Sequence, residues 1–157
     1  MTDVKFTDFN VPHTGVVLVG TDGSDGAARA VAFAADEAKA RGAKLMVAHS
    51  WFIPNFGYGS AYVAPVTDIE NAAKEILDKI LTQAKAEYPD LAIEGRLLEG
   101  TPGVRLCEIA EKEAEVVVIG TRGHGSFTSL LLGSVSSYVL HHSPVPVLLV
   151  RPEVDQS

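Results

Sequence analysis

Four residues, Val116-Val-Val-Ile119, carry no polar side chain, and the run stops at a glycine. A strand this apolar has no face to offer water. It belongs inside a sheet covered on both sides, which is the condition of a parallel sheet. Val16-Val-Leu-Val19 has the same character and also stops at a glycine, Gly20. Parallel strands need crossovers, and the segments between these runs have to supply helices.

The order of patterns meets that demand. After Gly20 comes the turn-rich segment Thr21-Asp22-Gly23-Ser24-Asp25-Gly26, where Ser24 or Asp25 is placed to cap a helix. Ala27, Val31, Ala34, Ala35 and Ala38 make one apolar stripe, and Gly42 is a suitable stop. Lys44 to Ser50 reads as the second strand. Residues 51–66 form a long irregular segment with five of the eleven aromatic residues, Trp51 and Phe52 first. Their number argues for order rather than disorder. Thr67-Asp-Ile-Glu70 has the form of a capping box. Behind it, Ile69, Ala72, Ala73, Ile76, Leu77, Ile80, Leu81 and Ala84 keep a helical period up to Pro89. Leu91 to Leu98 is a strand, and Thr101-Pro102 opens a helix with Leu106, Ile109 and Ala110 on its apolar face. The 116–119 strand follows, then a helix over about 135–142, then a last strand from Val145 to Val150 among Pro144, Pro146 and Pro152. Flanking prolines suit an edge position. Residues 1–13 and 153–157 read as tails, with Phe6 and Phe9 free to dock on the body. The result is one α/β domain, a Rossmann-like open sheet of five parallel strands with helices on both faces. Ligands of such sheets sit beyond the carboxyl ends of the strands. Here that places the first and fourth strands beside the crevice.

The loop after the fourth strand carries the chemistry. Gly120 and Gly123 stand at its start, and Gly133 with Ser134 closes it. Glycines allow close approach and unusual torsions. With Ser134 as N-cap, the N–H groups of the next helical turn and the helix dipole favour an anion such as phosphate. Arg122 and His124 lie in the loop and can offset negative charge. Asp22, at the end of the first strand, suits ribose hydroxyls, with helix capping or an Asx turn as the equal alternative. Ser50 ends the second strand, where backbone groups can meet a base. Thr21 and Ser136 complete the candidate set. A P-loop, a dinucleotide-binding glycine fingerprint and a serine-hydrolase elbow are all missing.

Composition narrows the partners. The 157 residues carry a formal net charge of −7, which opposes general binding to nucleic acid or an anionic membrane. A single cysteine, Cys107, rules out an internal disulfide and suits a reducing, cytoplasmic setting. No signal peptide opens the chain, and no apolar run approaches the ~20 residues of a membrane span. His13, His49, His141 and His142 do not form a metal pattern, since His141 and His142 are adjacent and point ~100° apart on a helix.

The spacing G-x2-G-x9-G-[ST] from Gly120 to Ser134, with Thr21-Asp22-Gly-Ser24 and Pro144-Val-Pro-Val-Leu-Leu-Val150, resembles the universal stress protein family. The resemblance runs from about 14 to 152, leaving the two tails outside the domain. It implies strand order 3-2-1-4-5. In the family's ATP-binding branch, the positions matching Asp22, Ser50, Ile119 and Gly120 lie against ribose and adenine. Those matching Gly123, Gly133, Ser134 and Val135 contact phosphate. The implied cofactor is ATP, with Mg2+ as its possible companion, and the implied partner is a second copy joined through the last strand. The resemblance favours a nucleotide-dependent regulatory dimer in stress response. A slow ATP hydrolase or phosphotransferase and a binder of AMP or cyclic AMP are the alternatives. Trp51 and Phe52 stack near a base, cover the crevice or fill an interface; the sequence leaves these open.

Overall fold

In a computed structural model, which describes residues 3–53, 65–121 and 132–153, five parallel strands form one sheet. In chain order they are β1 (Val16–Gly20), β2 (Lys44–Trp51), β3 (Ile93–Glu99), β4 (Val116–Gly120) and β5 (Val147–Val150). Their spatial order is β3-β2-β1-β4-β5, as the resemblance implies. β1 pairs with β2 from Val16↔Lys44 to Gly20↔Ala48 and with β4 from Val17↔Val116 to Val19↔Val118. The two most apolar runs are therefore neighbours among the three inner strands, and their side chains are buried on both faces.

Four α-helices cover the sheet: α1 (Asp25–Arg41), α2 (Val66–Glu87), α3 (Pro102–Glu113) and α4 (Ser134–His142). Alternation along each strand divides the core in two. Val17, Val19, Leu45, Val47 and Val118 pack under α1 and α2, with Ala30, Ala34, Ala38 and Leu77. Leu18, Met46, Val117 and Ile119 pack under α3 and α4, with Leu106, Ala110 and Val139. Alanines line the buried stripe of α1, so that helix lies close to the sheet. Gly95 on β3 meets the same need: a Cβ there would stand 2.4 Å from Leu81 Cδ1.

The local signals decide where helices begin and end. Ser24 is the N-cap of α1, its Oγ accepting from Ala27 N–H at 3.2 Å, and Gly42 ends it at φ +64°. α2 stops two residues before Pro89, whose ring disfavours helix in the residue ahead of it. Its start corrects the expected capping box. The helix begins at Val66 with Pro65 as N-cap, so Thr67 lies inside the first turn and caps nothing. Thr101 is the N-cap of α3 with Pro102 next, as the sequence predicts, though its hydroxyl makes no capping bond. Phe6 and Phe9 do not dock: they flank and form a 3-10 turn and are 94% and 61% exposed.

Candidate nucleotide site

The carboxyl ends of β1 and β4 lie side by side, and each strand is followed by Thr: Thr21 after Gly20 and Thr121 after Gly120. Both threonines are buried. Around Thr21 the chain folds a tight turn. Thr21 N–H donates to the Ala48 carbonyl at 2.9 Å, and its Oγ1 accepts from Gly23 N–H at 3.2 Å. Gly23 needs to be glycine, because its φ is +82°. Asp22 Oδ1 accepts from Ser24 N–H at 2.9 Å and from Ser24 Oγ at 2.5 Å. The carboxylate is thus in an Asx turn at the mouth of the crevice, half-buried. Ser24 passes the order on to α1 through its cap bond.

Around Thr121 the chain is closed by main chain. Gly133 N–H donates to the Thr121 carbonyl at 2.7 Å, and Thr121 N–H donates to the Val150 carbonyl at 3.2 Å. The buried Ser136 hydroxyl sits 3.0 Å from the Thr121 carbonyl and 3.1 Å from that of Gly133. Both ends of the glycine loop are therefore clipped together at the tip of β4. This gives Ser136 a role the sequence does not suggest: it holds the loop's frame. Arg122, Gly123 and His124 lie outside the described residues.

The N-cap of α4 is Gly133, at φ −75° and ψ 170°, with no side-chain cap bond. The expectation that Ser134 caps the helix is corrected by one residue, because the Gly133–Thr121 bond turns the chain into the helix one step earlier. Ser134 is the first helical residue and is exposed. Neither Gly120 nor Gly133 has a positive φ, so unusual torsion is not what glycine supplies at either place. What remains is the missing side chain, which leaves main chain open at the crevice. The N–H groups of Ser134, Val135 and Ser136 open the helix and have no carbonyl four residues back within it. Val135 packs on the core beneath them.

Ile119 is buried in the α3 and α4 layer, and Gly120 follows it half-buried. On the other side of β1, β2 runs one residue further than expected, through Ser50 to Trp51. Ser50 is half-buried, while Trp51 is only 8% exposed and its carbonyl accepts from Gly100 N–H at 2.8 Å. Trp51 thereby joins the body; Phe52, at 52% exposure, does not. Sequence reasoning missed the structural weight of Thr121 and of His49, whose Nδ1 lies 2.8 Å from the Thr21 carbonyl. The matching Gly-Thr pairs at 20–21 and 120–121 are the signal for the first.

Cys107 on α3 packs against the same core layer, and burial pushes its thiol above the ordinary range. Among the described residues no group of three or more His, Cys, Asp or Glu side chains could hold a metal ion, and no helix is long and apolar enough to cross a membrane. The donor set at the crevice, a carboxylate on one strand tip and helix N–H groups on the next, fits a ligand with sugar hydroxyls at one end and phosphate at the other.

Known proteins share this sequence pattern and fold. The family model described as the universal stress protein family matches residues 14–151. A universal stress protein of Mycolicibacterium smegmatis is 37% identical over 140 residues, covering 87% of this chain and 45% of the relative. The chain thus spans less than half the length of that curated relative. A universal stress protein crystallised with cyclic AMP is 32% identical with a TM-score of 0.65, covering 86% of this chain and 95% of its own. The universal stress protein of Archaeoglobus fulgidus in complex with dAMP is 28% identical with a TM-score of 0.61, covering 85% and 94%. By sequence and by fold alike, the chain belongs to the universal stress protein family.

Proposed function

We propose that this protein binds ATP at the crevice between β1 and β4 and acts as a nucleotide-dependent regulatory dimer in stress response. One observation carries the site: α4 begins without a side-chain cap, pinned against the tip of β4 next to the strand that presents Asp22. The N–H groups of Ser134 and Val135 are the phosphate donors. Arg122, Gly123 and His124, which lie outside the described residues, complete the phosphate side in this reading. The Asp22 carboxylate accepts from ribose hydroxyls. Ile119, Gly120 and the backbone near Thr21 and Ser50 line the adenosine. Mg2+ enters with the phosphates rather than on a preformed protein site. The complexes of relatives with cyclic AMP and dAMP support an adenine nucleotide as the ligand class.

Regulation needs no catalytic base, only a nucleotide that binds two states of the protein unequally. The partner is a second copy joined along β5. The two sheet edges support that choice. β3 carries Glu94 and Arg96, tied into ion pairs with Lys44 and Glu113. Charge on an edge discourages pairing. β5 is Val147-Leu-Leu-Val150, with no charge. Pro146 and Val150 turn their carbonyls toward β4, so the main-chain groups of Val147 and Leu149 point to the free edge. A single cysteine is in keeping with the cytoplasm, where we place the protein.

The test is to denature the purified protein, identify the released nucleotide, and titrate ATP, AMP and cyclic AMP onto the stripped protein. ATP binding that is lost in Gly133→Val is the expected result. Turnover well above contaminant level that vanishes in Asp22→Ala even at saturating ATP would replace regulation with hydrolysis.

A further inference from the structure

The ladder between β1 and β2 has its last pair at Gly20↔Ala48. Beyond it one side chain continues the connection: His49 Nδ1 lies 2.8 Å from the Thr21 carbonyl oxygen. A carbonyl oxygen only accepts, so this ring nitrogen carries the hydrogen. In the neutral imidazole that choice leaves Nε2 without a proton. Thr21 is then held on every polar group. Its N–H meets the Ala48 carbonyl, its hydroxyl accepts from Gly23 N–H, and its carbonyl accepts from His49. It is buried, and Asp22 is the next residue. His49 continues the series Leu45 and Val47 along β2, so it lies on the α1 and α2 side of the sheet.

We infer that His49 is a positioning residue of the nucleotide site. Its Nδ1–H fixes the Thr21 carbonyl and so sets the turn from which Asp22 presents its carboxylate; this rests on the nucleotide reading given above. The imidazole acts through Thr21 and does not touch the ligand. Asparagine is the informative replacement, because its amide nitrogen stands the same number of bonds from Cα as Nδ1. Glutamine carries its amide one bond further.

Isothermal titration of ATP onto the stripped full chain tests the role. His49→Ala and His49→Gln should weaken binding about five- to tenfold, and His49→Asn should stay within about twofold of the parent. Long-range 1H–15N spectra of the parent, assigned by the signals missing from His49→Asn, should show neutral His49 protonated at Nδ1. An Nε2–H tautomer, parent-like binding by His49→Ala, or His49→Asn as weak as His49→Ala would overturn the proposal. Asp22→Ala separates the two levels. If it binds ATP weakly while His49→Ala binds like the parent, only the role of His49 fails. If Asp22→Ala itself binds like the parent, the nucleotide site fails and takes the role of His49 with it.

Discussion

The two crossings that flank the crevice are closed by different means. After β1, side chains do the closing: Thr21 Oγ1, Asp22 Oδ1 and Ser24 Oγ each accept a main-chain N–H, and Ser24 caps α1. After β4, main chain does it: Gly133 N–H to Thr121 carbonyl, Thr121 N–H to Val150 carbonyl, with one hydroxyl from Ser136. The Ser24 side chain takes up one of the free N–H groups of α1, whereas at α4 the N-cap Gly133 has no side chain to do so. α2 and α3 also begin without a cap bond, but α3 follows the edge strand β3, and α2 follows residues 54–64, outside the described structure. Among the described residues, only α4 is clipped to the tip of an inner strand by a main-chain bond, and that strand neighbours the one that leads to Asp22. One crossing thus holds a side chain in place and the other a set of main-chain groups, the division of labour that the proposed nucleotide site uses.

That contrast breaks in specific ways. The largest effect is expected from Gly133→Val. Its torsions suit any residue, so α4 should survive at a cost of about 1 kcal/mol for the poorer cap. ATP binding should fall far more, by at least about a hundredfold, because the branched side chain occupies the phosphate side; titration calorimetry beside thermal melting separates the two. Asp22→Ala removes a charged acceptor and should cost roughly ten- to a hundredfold in affinity. Ser24→Ala sharpens the comparison from the other crossing. It should lower stability by about 1 kcal/mol, a Tm drop of about 2–4 °C, with a much smaller change in affinity than Asp22→Ala.

Leu149→Pro tests the β5 edge. It removes an outward N–H and should shift the protein toward monomer in sedimentation velocity without losing the fold. The smallest effect belongs to Glu94. Its hydrogen bond to Lys44, against burial and with Arg96, holds the carboxylate below its ordinary range. A lowered folded pKa contributes stability above the unfolded value and loses it as pH falls through the folded one. Glu94→Gln should therefore cost a few tenths of a kcal/mol at neutral pH and flatten the acid limb of a stability–pH curve.

How much of this was legible in the residues differs by element. The parallel sheet followed from two apolar runs that have no polar face, and the ends of α1 from Ser24 and Gly42. Strand order 3-2-1-4-5 came with the family resemblance and not from any single residue. The starts of α2 and α4 were misplaced by one residue or more. A side-chain cap pattern was read at Thr67 and Ser134, whereas Pro65 and the Gly133–Thr121 bond set the entry of the chain. In the candidate site, Asp22 was legible by position at a strand tip, and of its two readings the Asx turn is the one the structure displays. The framing roles of Thr121, Ser136 and His49 were not, because each depends on a carbonyl brought close by the fold rather than on a motif. Ser136 stands in the candidate set by position, and its hydroxyl has a second task the sequence does not announce, as a clip on the loop.

The most direct measurement is calorimetric titration of ATP onto the nucleotide-stripped protein, run for the parent, Gly133→Val and Asp22→Ala at one salt concentration. Saturable binding of one ATP per chain in the parent, lost in Gly133→Val and weakened in Asp22→Ala, is the predicted result. Parent-like binding by Gly133→Val, or a parent that takes up no adenine nucleotide, would contradict the assignment of the crevice between β1 and β4.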